Sequence, residues 1–210
     1  MAKKTNIPAP VELAYLEHLK KDKRLTTIIN EPLAVLPVKR NIALRLIASI
    51  MSQQLSTKVA TVIYNRFLAL YDGKEPTAEQ IVATPPETLR AIGLSNAKVA
   101  YVQNVARFVV DEKLTDKKLH ALDNDAVIAY LTQIKGVGRW TVEMLLMFYL
   151  GREDVFAVDD LNLQQCMIKL YKLEKLDKKA QKVKMLAISA KWAPYRTHAA
   201  RYLWGWKDGK

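Results

Sequence analysis

Cysteine occurs once in this chain of 210 residues, as Cys166. A single thiol builds no disulfide framework, no Cys-rich zinc site and no four-cysteine iron–sulfur cluster within the chain. Histidine is nearly as scarce. His18, His120 and His198 lie far apart in sequence and show no metal-ligand spacing. The opening MAKKTNIPAP has no apolar signal core, and no continuous apolar run is long enough to cross a bilayer. A soluble intracellular protein with no membrane partner is expected. Strand signals are missing too, since no stretch sustains period-two alternation between hairpin turns. Neither a solenoid-length repeat nor a low-complexity segment is visible.

What remains is helical. Half the residues are hydrophobic and 26% are charged, as in a globular protein. The length allows one substantial core or two small lobes. Lys and Arg number 33 against 21 Asp and Glu, a net charge of +12. That balance makes a polyanionic partner plausible, although excess charge also serves solubility.

Periodicity places a first helix over Val11–Leu19, after Pro8 and Pro10, and a short second one around Asp22–Ile29 before Pro32 and Pro37. Ile42–Met51 is apolar on most sides. Ser56 is placed to cap the next helix, with Val59, Val62, Ile63, Phe67 and Leu70 expected on its inner face. Asp72, Gly73 and Pro76 then make a loop. Pro85-Pro86 favours another helix start, and Gly93 its end.

Ser95 is expected to cap a helix with Val99, Val102, Ala106 and Val109 on one face. Asp123 is the next N-cap, with Leu122 and Val127 placed as a hydrophobic staple. Asp177 caps a later helix with a stripe of Val183, Leu186, Ala187 and Ala190. Pro194 opens the last one, which carries Trp204 and Trp206. The expectation is an all-α protein of about ten helices.

Two segments share a helix–glycine turn–helix form, around Gly93 and around Gly136 and Gly138. The second, Ile134-Lys135-Gly136-Val137-Gly138-Arg139-Trp140, has the makings of an anion site. Backbone N–H groups at a helix start, together with the helix dipole, favour a phosphate. Glycine lets that phosphate approach without a Cβ in the way. Lys135 and Arg139 add charge, although an ordinary helix–helix turn also uses glycine. Ser95 and Lys98 offer a weaker second set of phosphate contacts. Asp159 and Asp160 follow at the expected start of a further helix.

On these residues the chain resembles the helix-hairpin-helix (HhH-GPD) DNA glycosylase superfamily, and within it the 3-methyladenine DNA glycosylase II branch. The resemblance runs from about Leu33 to Trp206. It is carried by MSQQLS (51–56), IKGVGRWT (134–141), VFAVDDL (155–161) and WAPYRTHAARYLW (192–204). It implies two helical lobes with a central cleft, one formed by residues 40–152 and ending in the hairpin and its second helix. The other would combine residues 1–39 with 153–210.

The family's catalytic aspartate falls in the Asp159-Asp160 doublet, twenty positions after the tryptophan that follows the hairpin. That position is Asp160. Asp159 is then left for helix capping, with the two roles open to exchange. A carboxylate near C1′ stabilises oxocarbenium character on the sugar or steers water. A base alkylated at N3 or N7 is already cationic and departs readily, so no second carboxyl is required. Bifunctional relatives have lysine where this chain has Trp140, and indole cannot form a Schiff base. A monofunctional enzyme without lyase activity is implied.

Trp140 and Trp204 match positions where this branch lines its pocket with aromatics. Stacking and cation–π contact with a methylated purine contribute about 0.5–2 kcal/mol. Core packing is the plainer role for either indole. Met144 stands where some relatives have tyrosine, which leaves the pocket's shape open. Leu55 corresponds to a residue that fills the gap left by a flipped nucleotide, and Gln54 would face the pocket or the opposite base. A buried helix-start role also fits Leu55.

The resemblance implies double-stranded DNA with damaged bases as partner, a monomer, and a cytoplasmic (nucleoid-associated) or other intracellular location. It implies no redox cofactor and leaves room for a Na+ or K+ ion at the hairpin carbonyls of Ile134 and Gly136. Two rival readings stand beside it. One is a glycosylase for deaminated or oxidised bases, which needs a more hydrogen-bonding pocket. The other is a non-catalytic DNA-binding module that uses the hairpin alone.

Overall fold

The computed structural model describes residues 13–36 and 41–207. Among these residues there is no strand; twelve α-helices and two short 3-10 helices account for the regular structure. The chain divides into two compact helical units. One joins the segment up to Leu36 to everything from Arg152 onward, and the other is the stretch between them.

The central unit is built around α2 (Ile42–Ser52), which buries Ile42, Leu44, Leu46, Ile47, Ile50 and Met51. Six buried side chains in eleven residues exceed a single amphipathic stripe, so α2 is packed on several sides. Its N-terminus is satisfied from two directions. Asn41, in the left-handed region, accepts from the Leu44 N–H, and Asp116 accepts from the Asn41 and Ile42 N–H groups at 2.9 Å each. Against α2 pack α3 (Thr57–Ala69), α6 (Asn96–Asp111) and α9 (Arg139–Phe148).

Ser56, Ser95 and Asp123 cap α3, α6 and α8 (Asn124–Leu131) through their side chains, as their sequence contexts lead one to expect. Pro86 opens α5 (Pro86–Ala91) at its first position. Two helices of six residues carry too little periodicity to stand out in sequence. They are α4 (Ala78–Ala83), closed by a capping box of Thr77 and Gln80, and α7 (Asp116–Ala121), capped by Thr115.

The expected inner face of α3 needs correction. Ile63 and Phe67 are buried, but Val59, Val62 and Leu70 are 45%, 43% and 36% exposed. Val109 on α6 is half-buried, whereas Val99, Val102 and Ala106 are in the core.

The second unit contains α1 (Ala14–Leu19), a 3-10 turn at Leu25–Ile28, α10 (Leu161–Tyr171), α11 (Lys178–Ser189) and α12 (Arg196–Lys207). The first helix expected over Val11–Leu19 is seen from Ala14; Val11 lies outside the described residues, as does Pro37. Hydrogen bonds tie the N-terminal segment to the rest of this unit: Tyr202 donates its hydroxyl to the Glu31 carbonyl, Arg201 donates to Ala34 O, and Tyr171 and Trp192 donate to the Asp22 carboxylate. Within the segment, the Leu33 N–H donates to Tyr15 Oη.

Asp177 caps α11 as expected. The stripe assigned to that helix is wrong in register: Val183 and Leu186 are 63% and 46% exposed, and Met185, Ile188 and Ser189 face inward. Two apolar sets at helical spacing share α11, and only one of them has a neighbour to pack on.

Candidate active site

The carboxylate comes first. A connector from Arg152 to Asp160 leads into α10, and α12 holds it in place. Arg196 grips Asp154 with two parallel bonds, Nε to Oδ1 at 2.6 Å and Nη2 to Oδ2 at 2.9 Å. The guanidinium holds the Asp154 carboxyl below its ordinary range, against the opposing effect of burial. Thr197 Oγ1 donates to Arg152 O at 2.7 Å and accepts from the Val155 N–H at 3.1 Å. Its backbone N–H reaches Glu153 O at 2.9 Å. Arg196 is thus a clamp on the connector.

Trp204, two turns along the same helix, donates its indole N–H to Asp160 Oδ1 at 3.1 Å. The same oxygen accepts from the Leu163 N–H at 2.8 Å, which makes Asp160 the N-cap of α10. Asp160 is 8% exposed. Two donors on different helices therefore fix the plane of one buried carboxylate.

The division of labour within the doublet differs from the expected one. Asp159 does not cap α10. Its carboxylate forms a surface ion pair with Lys182 at 2.5 Å, both side chains about half exposed. Asp160 is both the cap and the oriented, buried carboxylate, so the capping role assigned to Asp159 is corrected. Sequence alone could not split the pair, because either aspartate satisfies the cap rule.

The hairpin lies in the other unit, between α8 and α9. Gly136 has φ +104°, and a Cβ there would sit 2.2 Å from Tyr101 Cγ on α6. This glycine is required by both backbone and packing. Asn104, also on α6, donates to Lys135 O at 3.1 Å and pins the turn. Gly138 is different: its φ is −92° and nothing lies within 4 Å of an added Cβ. It is the N-cap of α9, with no side-chain cap.

The related turn at Gly93 resembles the first glycine, with φ +107° and Ile63 Cδ1 2.7 Å from a would-be Cβ. There, however, the following helix α6 is capped by the Ser95 side chain, which accepts from the Lys98 N–H. The α9 start thus keeps open space above amides that no side chain caps, and the α6 start does not. Arg139 is engaged by the buried Glu143 one turn on, Nε to Oε1 at 2.9 Å, with its side chain 58% exposed.

Trp140 sits in the first turn of α9 and is 38% exposed, while Thr141, Val142 and Glu143 beside it are buried. Met144, one turn later, is partly exposed, so the two share the outer stripe of the helix. The core role that suits most tryptophans does not apply to Trp140. Trp192, which sequence reading did not single out, takes that role instead at 1% exposure.

Between α2 and α3, Gln54 is held at φ +59°, a strained conformation for a residue with a Cβ. It turns the chain so that Leu55 projects 37% exposed. The buried reading of Leu55 is set aside.

Lys98 needs correction. Its ammonium donates to the carbonyls of Gln53 and Met51, at 2.6 and 3.0 Å. Burial lowers its pKa. Lys98 closes the C-terminal end of α2 and supports the Gln54–Leu55 turn from beneath; it is not placed as a phosphate ligand. Gln53, which sequence reading passed over, donates to Thr141 Oγ1 on α9 at 3.2 Å. Together these bonds join the turn to the hairpin helix. Among the described residues no cluster of three or more His, Cys, Asp or Glu could hold a metal ion.

Helix, hairpin, helix and a downstream oriented aspartate define a class. The chain belongs to the HhH-GPD superfamily of base excision DNA repair proteins, whose family model matches residues 47–193. It is similar to DNA-3-methyladenine glycosylase 1 of Schizosaccharomyces pombe, at 41% identity over 161 residues, covering 76% of this chain and 69% of that protein. A Bacillus subtilis relative, 32% identical over 161 residues, is spanned for only 55% of its length.

Among solved structures, the chain resembles a DNA-3-methyladenine glycosidase from Bacillus halodurans with a TM-score of 0.80 at 36% identity, covering 91% of this chain and 88% of that one. It also resembles the S. pombe 3-methyladenine DNA glycosylase Mag1, determined in complex with abasic DNA, with a TM-score of 0.79 at 36% identity. That match covers 90% of this chain and 94% of Mag1.

Proposed function

We propose that this chain is a monofunctional DNA glycosylase that flips alkylated purines out of double-stranded DNA and hydrolyses their N-glycosidic bond. The observation that carries the reading is the Asp160 carboxylate, buried and fixed by donors from α10 and α12, in a chain of this family. Cleavage breaks the bond between C1′ and the base nitrogen, and the electron pair goes to the base. A 3-methyladenine or 7-methylguanine leaves as a neutral molecule because it began as a cation. Positive charge develops on the sugar, where Asp160 stabilises it electrostatically. Water then forms the new bond to C1′ and loses its proton, leaving an intact abasic site.

Trp140 and Trp204 supply electron-rich faces to the cationic base. Because Trp140 carries no amine, it provides no nucleophile for strand cleavage. The uncapped start of α9 and Gly138 receive a backbone phosphate, with Lys135 adding charge. Leu55 enters the stack that the flipped nucleotide vacates. The Ile134 carbonyl already accepts the turn bond from the Val137 N–H at 3.0 Å and has a second lone pair. Neutral carbonyl donors of this kind suit Na+ or K+, so Ile134 and Gly136 are the residues that would hold such an ion. The protein acts as a monomer.

The deciding experiment is incubation with DNA methylated randomly at its purines, followed by identification of any free base. Release of 3-methyladenine or 7-methylguanine, with strand breaks appearing only after alkali, is the expected result. A folded protein that releases no base from a broad lesion panel overturns the proposal.

A further inference from the structure

The arginine of the hairpin is held in a way that the surface ion pairs of this chain are not. Arg139 Nε donates to Glu143 Oε1 at 2.9 Å, one turn along α9. The arginine side chain is 58% exposed and the glutamate side chain 4%. Among the described residues no other ion pair joins a buried acid to an exposed base. Burying a carboxylate carries a desolvation cost that an exposed arginine offsets only in part. A pair at i,i+4 that served helix stability alone would work as well with its acid in water.

What burial supplies is a fixed anchor. Glu143 belongs to the inward part of α9, where Thr141, Val142, Leu145 and Leu146 are buried too, so close packing sets its rotamer. The bond uses one of the five N–H donors of arginine, and among the described residues it is the only hydrogen bond that the Arg139 side chain makes. The Nη edge is left for an acceptor from outside the chain, in a planar fork that suits phosphate. Bonding residue i to i+4 also lays the arginine along α9, to the side of the open amides at Gly138.

We infer that Glu143 is a positioning residue for DNA: it holds Arg139 by Nε so that the Nη edge meets a phosphate next to the one seated at Gly138. Glu143 itself does not touch the strand. A negative charge this close to a phosphate opposes binding, so the gain comes from order. An arginine that is already fixed loses little freedom when the strand arrives. This assignment rests on the proposed seating of DNA at the hairpin and names the residue that sets its arginine.

The test compares two substitutions that remove the same charge. Glu143→Gln keeps an oxygen that accepts from Nε, and Glu143→Met does not. Duplex affinity and its salt dependence are measured on the full chain by fluorescence anisotropy, with melting temperatures beside them. Glu143→Gln should bind as tightly as the unmodified chain or more tightly. Glu143→Met should bind several-fold more weakly, although it too has lost a negative charge. Its slope of log affinity against log salt should flatten by up to about 0.9. In an Arg139→Met background the two substitutions should be equivalent. Arg139→Lys works at the exposed end of the pair, where the core is not disturbed: it keeps the charge, lacks the fork, and should also bind several-fold more weakly. Equal affinities for Glu143→Gln and Glu143→Met, a difference between them that persists without Arg139, or Arg139→Lys binding like the unmodified chain each overturn the inference. An unmodified chain that binds no duplex overturns the DNA reading itself, and this inference with it.

Discussion

Trp204 donates its indole N–H to Asp160 Oδ1 at 3.1 Å, so the aromatic residue expected at the base is also a holder of the carboxylate. The two roles separate by substitution. Trp204→Phe keeps a ring face and removes the donor. Losing a hydrogen bond to a charged group costs about 1.5–3 kcal/mol. Single-turnover base release should therefore slow about tenfold or more, with the dissociation constant for lesion DNA nearly unchanged. An unchanged rate would show that the bond does not position Asp160.

Asp160→Asn tests the carboxylate without losing the cap, because Asn and Asp are about equally good at N-cap positions. Melting temperature should shift by only a few degrees. Base release should fall by about a hundredfold or more, the scale on which removing a placed electrostatic group acts. DNA binding should persist or tighten, since a negative charge is removed. Asp159→Asn breaks only a surface ion pair with Lys182 and should leave the rate within about twofold.

The hairpin's two glycines should fail in different assays. Gly136→Ala forces a Cβ into the Tyr101 ring at a φ of +104°. Strain of this kind costs about 1–3 kcal/mol before the overlap is counted, so thermal stability should drop. Gly138→Ala meets nothing within 4 Å and has an ordinary φ of −92°. Stability should be retained, and affinity for DNA should fall several-fold if a phosphate seats there. Equal behaviour of the two variants in both assays would contradict this reading of the turn.

Much of this was legible in the sequence, and the exceptions have physical reasons. Caps were readable because the rule is local: Ser56, Ser95, Asp123 and Asp177 each bond an amide three residues on. Asp159 and Asp160 defeated that rule, since both precede α10 and only the tertiary partners Lys182 and Trp204 tell them apart. Val59, Val62, Val183 and Leu186 have helical spacing, but spacing cannot say which of two apolar sets meets a neighbour. Lys98 looked like a phosphate ligand by its place after Ser95. Its carbonyl partners lie more than forty residues away in sequence and leave no local trace.

Lys98 offers a test that discriminates the two roles directly. A lysine that contacts phosphate contributes about 0.9 to the slope of log affinity against log salt. Lys98→Met should leave that slope unchanged while lowering stability by about 1–3 kcal/mol, because two carbonyls lose their donor. Lys135→Met should do the opposite, flattening the slope with little change in melting temperature.

The final prediction concerns pH. His198 is stacked on Tyr15 with ring centroids 4.2 Å apart, and its pKa is lowered to about 4, first by burial and second by the charge on Arg201. Glu153, 3.9 Å away but well exposed, works weakly in the opposite direction. The unfolded chain binds a proton near pH 6.5, whereas the folded one resists until about 4. The unfolded state therefore carries more protons across that window, and stability must rise with pH there. The contribution is fully present above about 6.5 and is lost as pH falls through about 4. His198→Phe keeps an aromatic ring for Tyr15 and cannot titrate. Its melting temperature should decline less than that of the unmodified chain between pH 6.5 and pH 4. Parallel declines in the two proteins would mean that the acid sensitivity arises from other groups.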